Sequence, residues 1–345
     1  MADKYNHQYD LSKSRSALSP PHGDFLEISN TAKPRVILSD RIAGCVLGFA
    51  IGDSIGAPLE FSKGLEKGLD RITDYAPSPR KGLNAGQFTD DTQHLIIGLQ
   101  SLIEYHGDLN LQDQADRLVQ WYVSGDARSM GRTTQLAIEN LLSGCDYGNS
   151  GINNIKNCGS LAISRLIPVA LMSAINRGKY KIQRTDIKNI LSITHAHRNV
   201  ANMGELFNYF IQEIMYGKNP SETLDMILSE NELLNKRIRN KLAKVKKLSK
   251  SDKDPMLAIE EIGNSGFVED VVYSSIYGAL KGNDFREAIL ISANGGGDTD
   301  SRAAFTGALY GLYVGEPNIP SDLKVRLESK SELEEMARQL FYLRK

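Results

Sequence analysis

Glycine recurs at every fourth position of one apolar stretch, at Gly44, Gly48, Gly52 and Gly56 of RIAGCVLGFAIGDSIGAPLEF. A strand alternates its faces every two residues, whereas a step of four returns to one side of an α-helix. Each such glycine costs a helix interior about 1 kcal/mol relative to alanine. The usual physical return is close approach of a second backbone. The stretch therefore predicts a helix that packs tightly against another element.

The rest of the chain keeps the helical period. TDDTQHLIIGLQSLIEY, DQADRLVQWYVSG, GRTTQLAIENLLSG, RLIPVALMSAINRG, GELFNYFIQEIMYG, VEDVVYSSIYGALKG, DFREAILISANGG and SRAAFTGALYGLYVG are all amphipathic. Most of them stop at glycine, the common helix terminator. No alternating strand pattern or hairpin dipeptide competes, and no fixed period recurs. The expectation is an all-α fold, a multi-helix orthogonal bundle, in a single domain over residues 39–345. Residues 1–38, rich in Ser, Pro, Asp and Lys, read as an irregular N-terminal extension and a candidate partner-binding arm. In NELLNKRIRNKLAKVKKLSKSDK, nine Lys and Arg lie between Asn235 and Lys253. They sit over a stripe of Leu234, Ile238, Leu242, Val245 and Leu248, which predicts a surface helix with a solvated basic face.

Bulk properties narrow the function classes. A net charge of −1 gives no electrostatic footprint for nucleic acid or a membrane surface. The three cysteines have no metal-ligand spacing and an odd count, which fits reduced thiols in a cytoplasmic protein. The polar N-terminus lacks the apolar core of a secretory signal, and the apolar run Cys45–Ile51 is too short to span a bilayer.

Chemistry concentrates in two acidic junctions far apart in the chain. GQFTDDTQHL places Thr89, Asp90, Asp91 and Thr92 before an apolar helix, and NGGGDTDSRAAF places Asp298, Thr299, Asp300 and Ser301 before another. Carboxylates at a helix start can cap orphan amides and complement the helix dipole. One cap needs one acceptor, however, and each junction offers two carboxylates with hydroxyls beside them. Four carboxylates with hydroxyl oxygens form an all-oxygen donor set of the kind that suits Mg²⁺, Mn²⁺ or Ca²⁺ rather than zinc. Spacing alone leaves capping and a two-metal site both open.

The segments GCVLGFAIGDSIGAPLEF, GQFTDDTQHLIIGLQSL, GRTTQLAIENL, CGSL followed by SRLIPVAL, THAH, and NGGGDTDSRAAFTGALYGLYVGEPNIP occur in this order. Together they resemble the ADP-ribosylglycohydrolase family, from about Arg41 to about Pro320. The resemblance implies an all-α fold with two Mg²⁺ ions, Mn²⁺ being the alternative, in a cleft between helix ends. Thr89, Asp90 and Asp91 would supply one group of metal ligands, and Asp298, Asp300 and Ser301 the other. Ser301 stands where the family usually has threonine and keeps the hydroxyl oxygen. Glu60, Asp90 and Asp300 are the implied catalytic residues. Gly131, Gly159, Ser160 and His195 are the implied substrate-binding positions, with Gly159 and Ser160 offering backbone amides to a diphosphate.

The implied reaction is hydrolysis of the glycosidic bond between ADP-ribose and a protein side chain, with arginine the favoured linkage. Its partner would be an ADP-ribosylated protein. Two departures from the family pattern stand out. Ser129 occupies the position at which arginine-directed members often carry an aspartate, with Asp126 nearby but out of register. Two extra residues also separate GSL from RLIP. A second role implied by the resemblance is that of an immunity protein whose residues 1–38 block an ADP-ribosyltransferase toxin. A non-catalytic structural relative is a third, against which the intact acidic clusters argue.

Overall fold

The computed structural model describes residues 36–62, 71–176, 182–229 and 235–344. The extension expected over residues 1–38 lies outside the described residues except for Val36, Ile37 and Leu38, and so does Leu234 of the basic segment. In order, the helices are α1 (Leu38–Gly56), α2 (Asp90–Glu104), α3 (Leu111–Val123), α4 (Arg132–Leu142) and α5 (Ala162–Ile175). They continue with α6 (Arg184–Ser192), α7 (Arg198–Met215), α8 (Pro220–Ser229), α9 (Lys236–Ser249) and α10 (Pro255–Ile262). The last five are α11 (Val268–Lys281), α12 (Phe285–Ala293), α13 (Thr299–Val314), α14 (Ser321–Val325) and α15 (Lys330–Tyr342). Among the described residues there is no strand, only isolated bridges such as Ile152 with His195. The fold is all-α, as the periodicity predicts.

Two helices, α1 and α13, form the centre and are buried on nearly every side. They run antiparallel, and the glycine stripe is their seam. A Cβ built on Gly44 would lie 2.2 Å from the Gly311 carbonyl oxygen, and one on Gly48 2.2 Å from that of Gly307. On Gly52 it would lie 2.0 Å from the Ala303 oxygen, and on Gly56 2.3 Å from the Thr299 oxygen. The fourfold step of one helix therefore meets the fourfold step 311, 307, 303, 299 of the other. No side chain fits between them, so backbone meets backbone along the whole contact. The segment Leu38–Leu59 has the length and hydropathy of a membrane span, yet 89% of its apolar 18-residue stretch is buried inside the protein. Its uniform apolar character belongs to a core helix.

Arg41 fastens the far end of this pair. Its Nη1 donates to the carbonyls of Ile214, Leu312 and Tyr313, at the C-termini of α7 and α13, where a cation complements the exposed carbonyls. Around the pair, α2 packs on α5, α5 on α7, and α11 and α12 on α13. The basic segment forms α9, with Ile238, Leu242, Val245 and Leu248 buried beneath it. Arg237, Lys244 and Lys246 pair with Glu269, Glu261 and Asp225, so much of the basic face is neutralised locally.

Candidate active site

The α1–α13 register decides what meets at one end of the molecule. Because Gly56 abuts Thr299, the C-terminus of α1 and the N-terminus of α13 finish side by side. Thr299 Oγ1 donates to the Gly56 carbonyl at 2.7 Å, and the Phe61 amide to the Gly297 carbonyl at 2.7 Å. Gly296 and Gly297 both have φ of 69°, and a Cβ on Gly297 would lie 1.7 Å from the Asn264 carbonyl oxygen. Only glycine allows that left-handed turn against a neighbouring backbone. This is why the second acidic junction is preceded by a glycine run.

The N-terminus of α2 is brought to the same place by a residue that motif reading missed. Asp53, within α1, accepts hydrogen bonds from the Thr89 amide and hydroxyl and from the Thr92 amide and hydroxyl. A buried carboxylate thus caps the start of a different helix. The signal was present in the sequence, because Asp53 is the only charged residue between Arg41 and Glu60. Asp53→Ala strands these donors and is expected to lower stability by about 3 kcal/mol. Asp53→Asn, which keeps one acceptor oxygen, should lose about half as much. Urea denaturation of the two variants checks both values.

The two acidic junctions then touch. Asp91 accepts from the Ser301 hydroxyl at 2.8 Å through one oxygen and from the Ser164 hydroxyl at 3.2 Å through the other. Helices α2, α5 and α13 are stitched at one carboxylate. Thr89 is the N-cap of α2 and accepts from the Asp91 amide, so Asp90 and Asp91 are not needed as caps. Asp298 holds the N-cap position of α13 but makes no side-chain capping bond. Its Oδ1 is buried and has no hydrogen-bond partner. Capping therefore accounts for Thr89 and leaves the Asp298 carboxylate unexplained.

Glu60 follows the short turn Ala57–Leu59 and joins the cluster half-buried. One oxygen from each of Glu60, Asp298 and Asp300 lies within 4.8 Å of the others. The Lys81 ammonium sits on this group, 2.6 Å from Asp300 Oδ2 and in contact with Glu60. Burial and the carboxylate of Asp300 push Glu60 up to about 7, against the pull of Lys81. The same two causes raise Asp53 to about 6, although the Thr92 and Thr89 hydrogen bonds oppose them. Burial and neighbouring carboxylates also push Asp90, Asp91 and Asp298 well above the usual carboxylate range.

Asp53, Glu60, Asp90, Asp91, Asp298 and Asp300 thus crowd together, with Lys81 and Arg302 as near cations and Arg128, paired with Glu328, close enough to interact with Asp53. Arg302 is itself spent on the Ser292 and Gly296 carbonyls. An all-oxygen donor set with an unpartnered buried carboxylate oxygen fits a hard divalent cation.

The remaining predicted positions lie at the starts of α4 and α5 and just after α6. Gly159 and Ser160 lie just before α5, whose Ser164 holds Asp91. A Cβ on Gly159 would lie 3.2 Å from His195 Nε2. His195 is buried, with Nδ1 at 2.9 Å from the Thr194 hydroxyl. Thr194 also accepts from Arg165, whose other nitrogen lies 2.7 Å from His94 Nδ1. Burial, reinforced by the Arg165 charge, pushes His195 down to about 3, so its ring is neutral at physiological pH.

Gly131 is the N-cap of α4, and a Cβ built on it would meet nothing within 4 Å. Its loop is tied to α2, since Gln93 bonds the Asp126 carbonyl and the Arg128 amide and Arg128 bonds the Phe88 carbonyl. Within that loop Ser129 is left-handed, with φ of 50°.

The ADP-ribosylglycohydrolase family profile matches residues 34–345. An ADP-ribosylarginine hydrolase, Tri1, of Serratia proteamaculans is 30% identical over 318 residues, covering 88% of this chain and 80% of that protein. An uncharacterized protein of Archaeoglobus fulgidus is 28% identical, covering 89% of this chain and 97% of its own length. A solved structure titled ADP-ribosylglycohydrolase-related protein complex superposes with a TM-score of 0.74 at 22% identity, covering 89% of this chain and 99% of that one. With the family profile matching nearly the full length and the fold in agreement, this chain belongs to the ADP-ribosylglycohydrolase family.

Proposed function

We propose that the protein hydrolyses the bond between ADP-ribose and a protein side chain, with arginine as the linked residue and two Mg²⁺ ions, or Mn²⁺, as cofactor. The observation that carries this reading is the unpartnered Asp298 oxygen at the meeting point of two acidic helix starts. Thr89, Asp90 and Asp91 on one side and Asp298, Asp300 and Ser301 on the other would hold the ions, with Glu60 beside them. When bound, the ions would offset the carboxylate repulsion and polarise the ribose hydroxyls.

The chain's own groups supply positioning. Ser164 and Ser301 fix Asp91 by both oxygens, so its orientation is set before any ligand arrives. The amides of Gly159 and Ser160, at the positive end of α5, suit a diphosphate. His195 stands against Gly159 as a neutral ring and adds no charge to that loop. Gly131, with no side chain and open space beside it, leaves room for the ribose or the linked side chain. Cleavage at the anomeric carbon develops oxocarbenium character, which the surrounding carboxylates Glu60, Asp90 and Asp300 stabilise electrostatically. The arginine linkage that names the Serratia hydrolase supports arginine here. The reduced cysteines, Cys45 and Cys158 buried and Cys145 exposed, are in keeping with a cytoplasmic setting.

The test is release of ADP-ribose from arginine-, serine- and O-acetyl-linked substrates, with Mg²⁺ present or chelated. Arginine-linked substrate should turn over at least about tenfold faster than the others, and chelation should lower the rate by about 10³-fold. Full activity in chelator would overturn the metal dependence. Preference for the serine linkage would overturn the arginine assignment.

A further inference from the structure

Lys81 is a charged group that the family pattern and the proposed reaction leave without a role. It lies in the turn SPRKG, between helices that carry the motifs. The turn is tied down on all sides. The Ser78 hydroxyl donates to the Ala57 carbonyl, Ser78 and Leu83 pair through their backbones, and Arg80 Nη2 donates to the Glu60 carbonyl at 2.6 Å. Gly82, with φ of 66°, closes the turn in the left-handed region. This backbone delivers the Lys81 ammonium onto Asp300 Oδ2 and Glu60, two of the three carboxylates that converge within 4.8 Å. The side chain is 11% exposed, at the rim of the cluster.

We propose that Lys81 is a tethered counter-cation: its ammonium holds Glu60 and Asp300 together when no divalent ion is bound, and it must swing out for an ion to take the same oxygens. The inference rests on the metal reading of this cluster. A monovalent ammonium and a divalent ion cannot both fill the space between two converging carboxylate oxygens, and at such range they repel. Four rotatable bonds allow the lysine to leave while its anchored backbone stays in place. The measured affinity for the ion is then reduced by the fraction of molecules in which the lysine is out. In return, the metal-free protein is spared an uncompensated acidic cluster.

The experiment is Mn²⁺ binding to the full chain by electron paramagnetic resonance and calorimetry. It compares wild type with Lys81→Met, which keeps length and loses charge, and with Lys247→Met, which removes an exposed charge of α9 outside the cluster. Lys81→Met should bind Mn²⁺ at least about tenfold more tightly with unchanged stoichiometry, while Lys247→Met stays within about twofold. Lys81→Met should also melt at a lower temperature than wild type in chelator, and the gap should close in saturating Mn²⁺. A purely structural role for the lysine would leave the gap open in both conditions.

Unchanged or weaker binding by Lys81→Met, or equal tightening in Lys247→Met, would overturn the lysine's role and leave the metal site standing. An additional ion bound by Lys81→Met would overturn displacement in favour of permanent substitution for one ion. Absence of Mn²⁺ binding in every variant would take the metal reading down and the lysine inference with it.

Discussion

Asp298→Ala is expected to lower hydrolysis of ADP-ribosyl protein by about 10³-fold while the helical fold remains formed. The reasoning starts from burial. Asp298 is 6% exposed, caps no amide with its side chain and has one oxygen without a partner. A carboxylate so placed destabilises the ion-free protein through desolvation and repulsion from Asp300 and Asp91. Removing it therefore costs no hydrogen bond that α13 needs. In chelator the variant should melt at the same temperature as wild type or slightly above. In Mg²⁺ the order should reverse, because an ion that binds only the folded state stabilises wild type by mass action and the variant much less. Circular dichroism melts with and without Mg²⁺, beside an activity assay, test all of this. Full turnover in the variant, or equal stabilisation of both proteins by Mg²⁺, would contradict the ligand assignment.

The second large effect is structural. Gly52→Val should cost more than about 4 kcal/mol or prevent accumulation of soluble protein. A Cβ at this position would lie 2.0 Å from the Ala303 oxygen and 2.4 Å from its carbonyl carbon. Both are backbone atoms of a buried helix, so no rotamer change can make room. Accommodation requires α1 and α13 to separate, which opens the central contact and displaces Asp53 and Glu60 from the α13 carboxylates. Gly131→Ala is the control on stability, because the same atom there meets nothing within 4 Å. Its stability should change by no more than about 0.5 kcal/mol. Chemical denaturation of both variants gives the comparison, and a near-native Gly52→Val would show that the seam is looser than its contacts.

Much of this was readable from residue order, for identifiable reasons. The glycine stripe carries its own period and announces close backbone approach before any partner is known. Thr89 to Asp91 and Asp298 to Ser301 are locally unusual, since helix starts need one acceptor and these offer several. Asp53 and Arg165 were harder to find. Each is a lone charge in an apolar helix, and what it does depends on a segment far away: Thr89 and Thr92 for Asp53, His94 and Thr194 for Arg165. Lys81 was not legible at all. A lysine in a proline- and glycine-bounded turn is ordinary surface chemistry, and only the fold shows where its ammonium ends. Helices α6 and α10, with 9 and 8 residues, likewise span too few turns to show a clear period, whereas α12, also of 9, is marked by its apolar run Ala288–Ile291.

The two central helices interlock like the teeth of a rack, and this limits how the catalytic end can fail. Sliding one helix along the other by a single residue would drive a side chain into a carbonyl. The next permitted setting is four residues on, about 6 Å away at 1.5 Å per residue. Intermediate positions are closed off, so substitutions elsewhere should leave the acidic end either in place or dismantled, with no partly opened version in between.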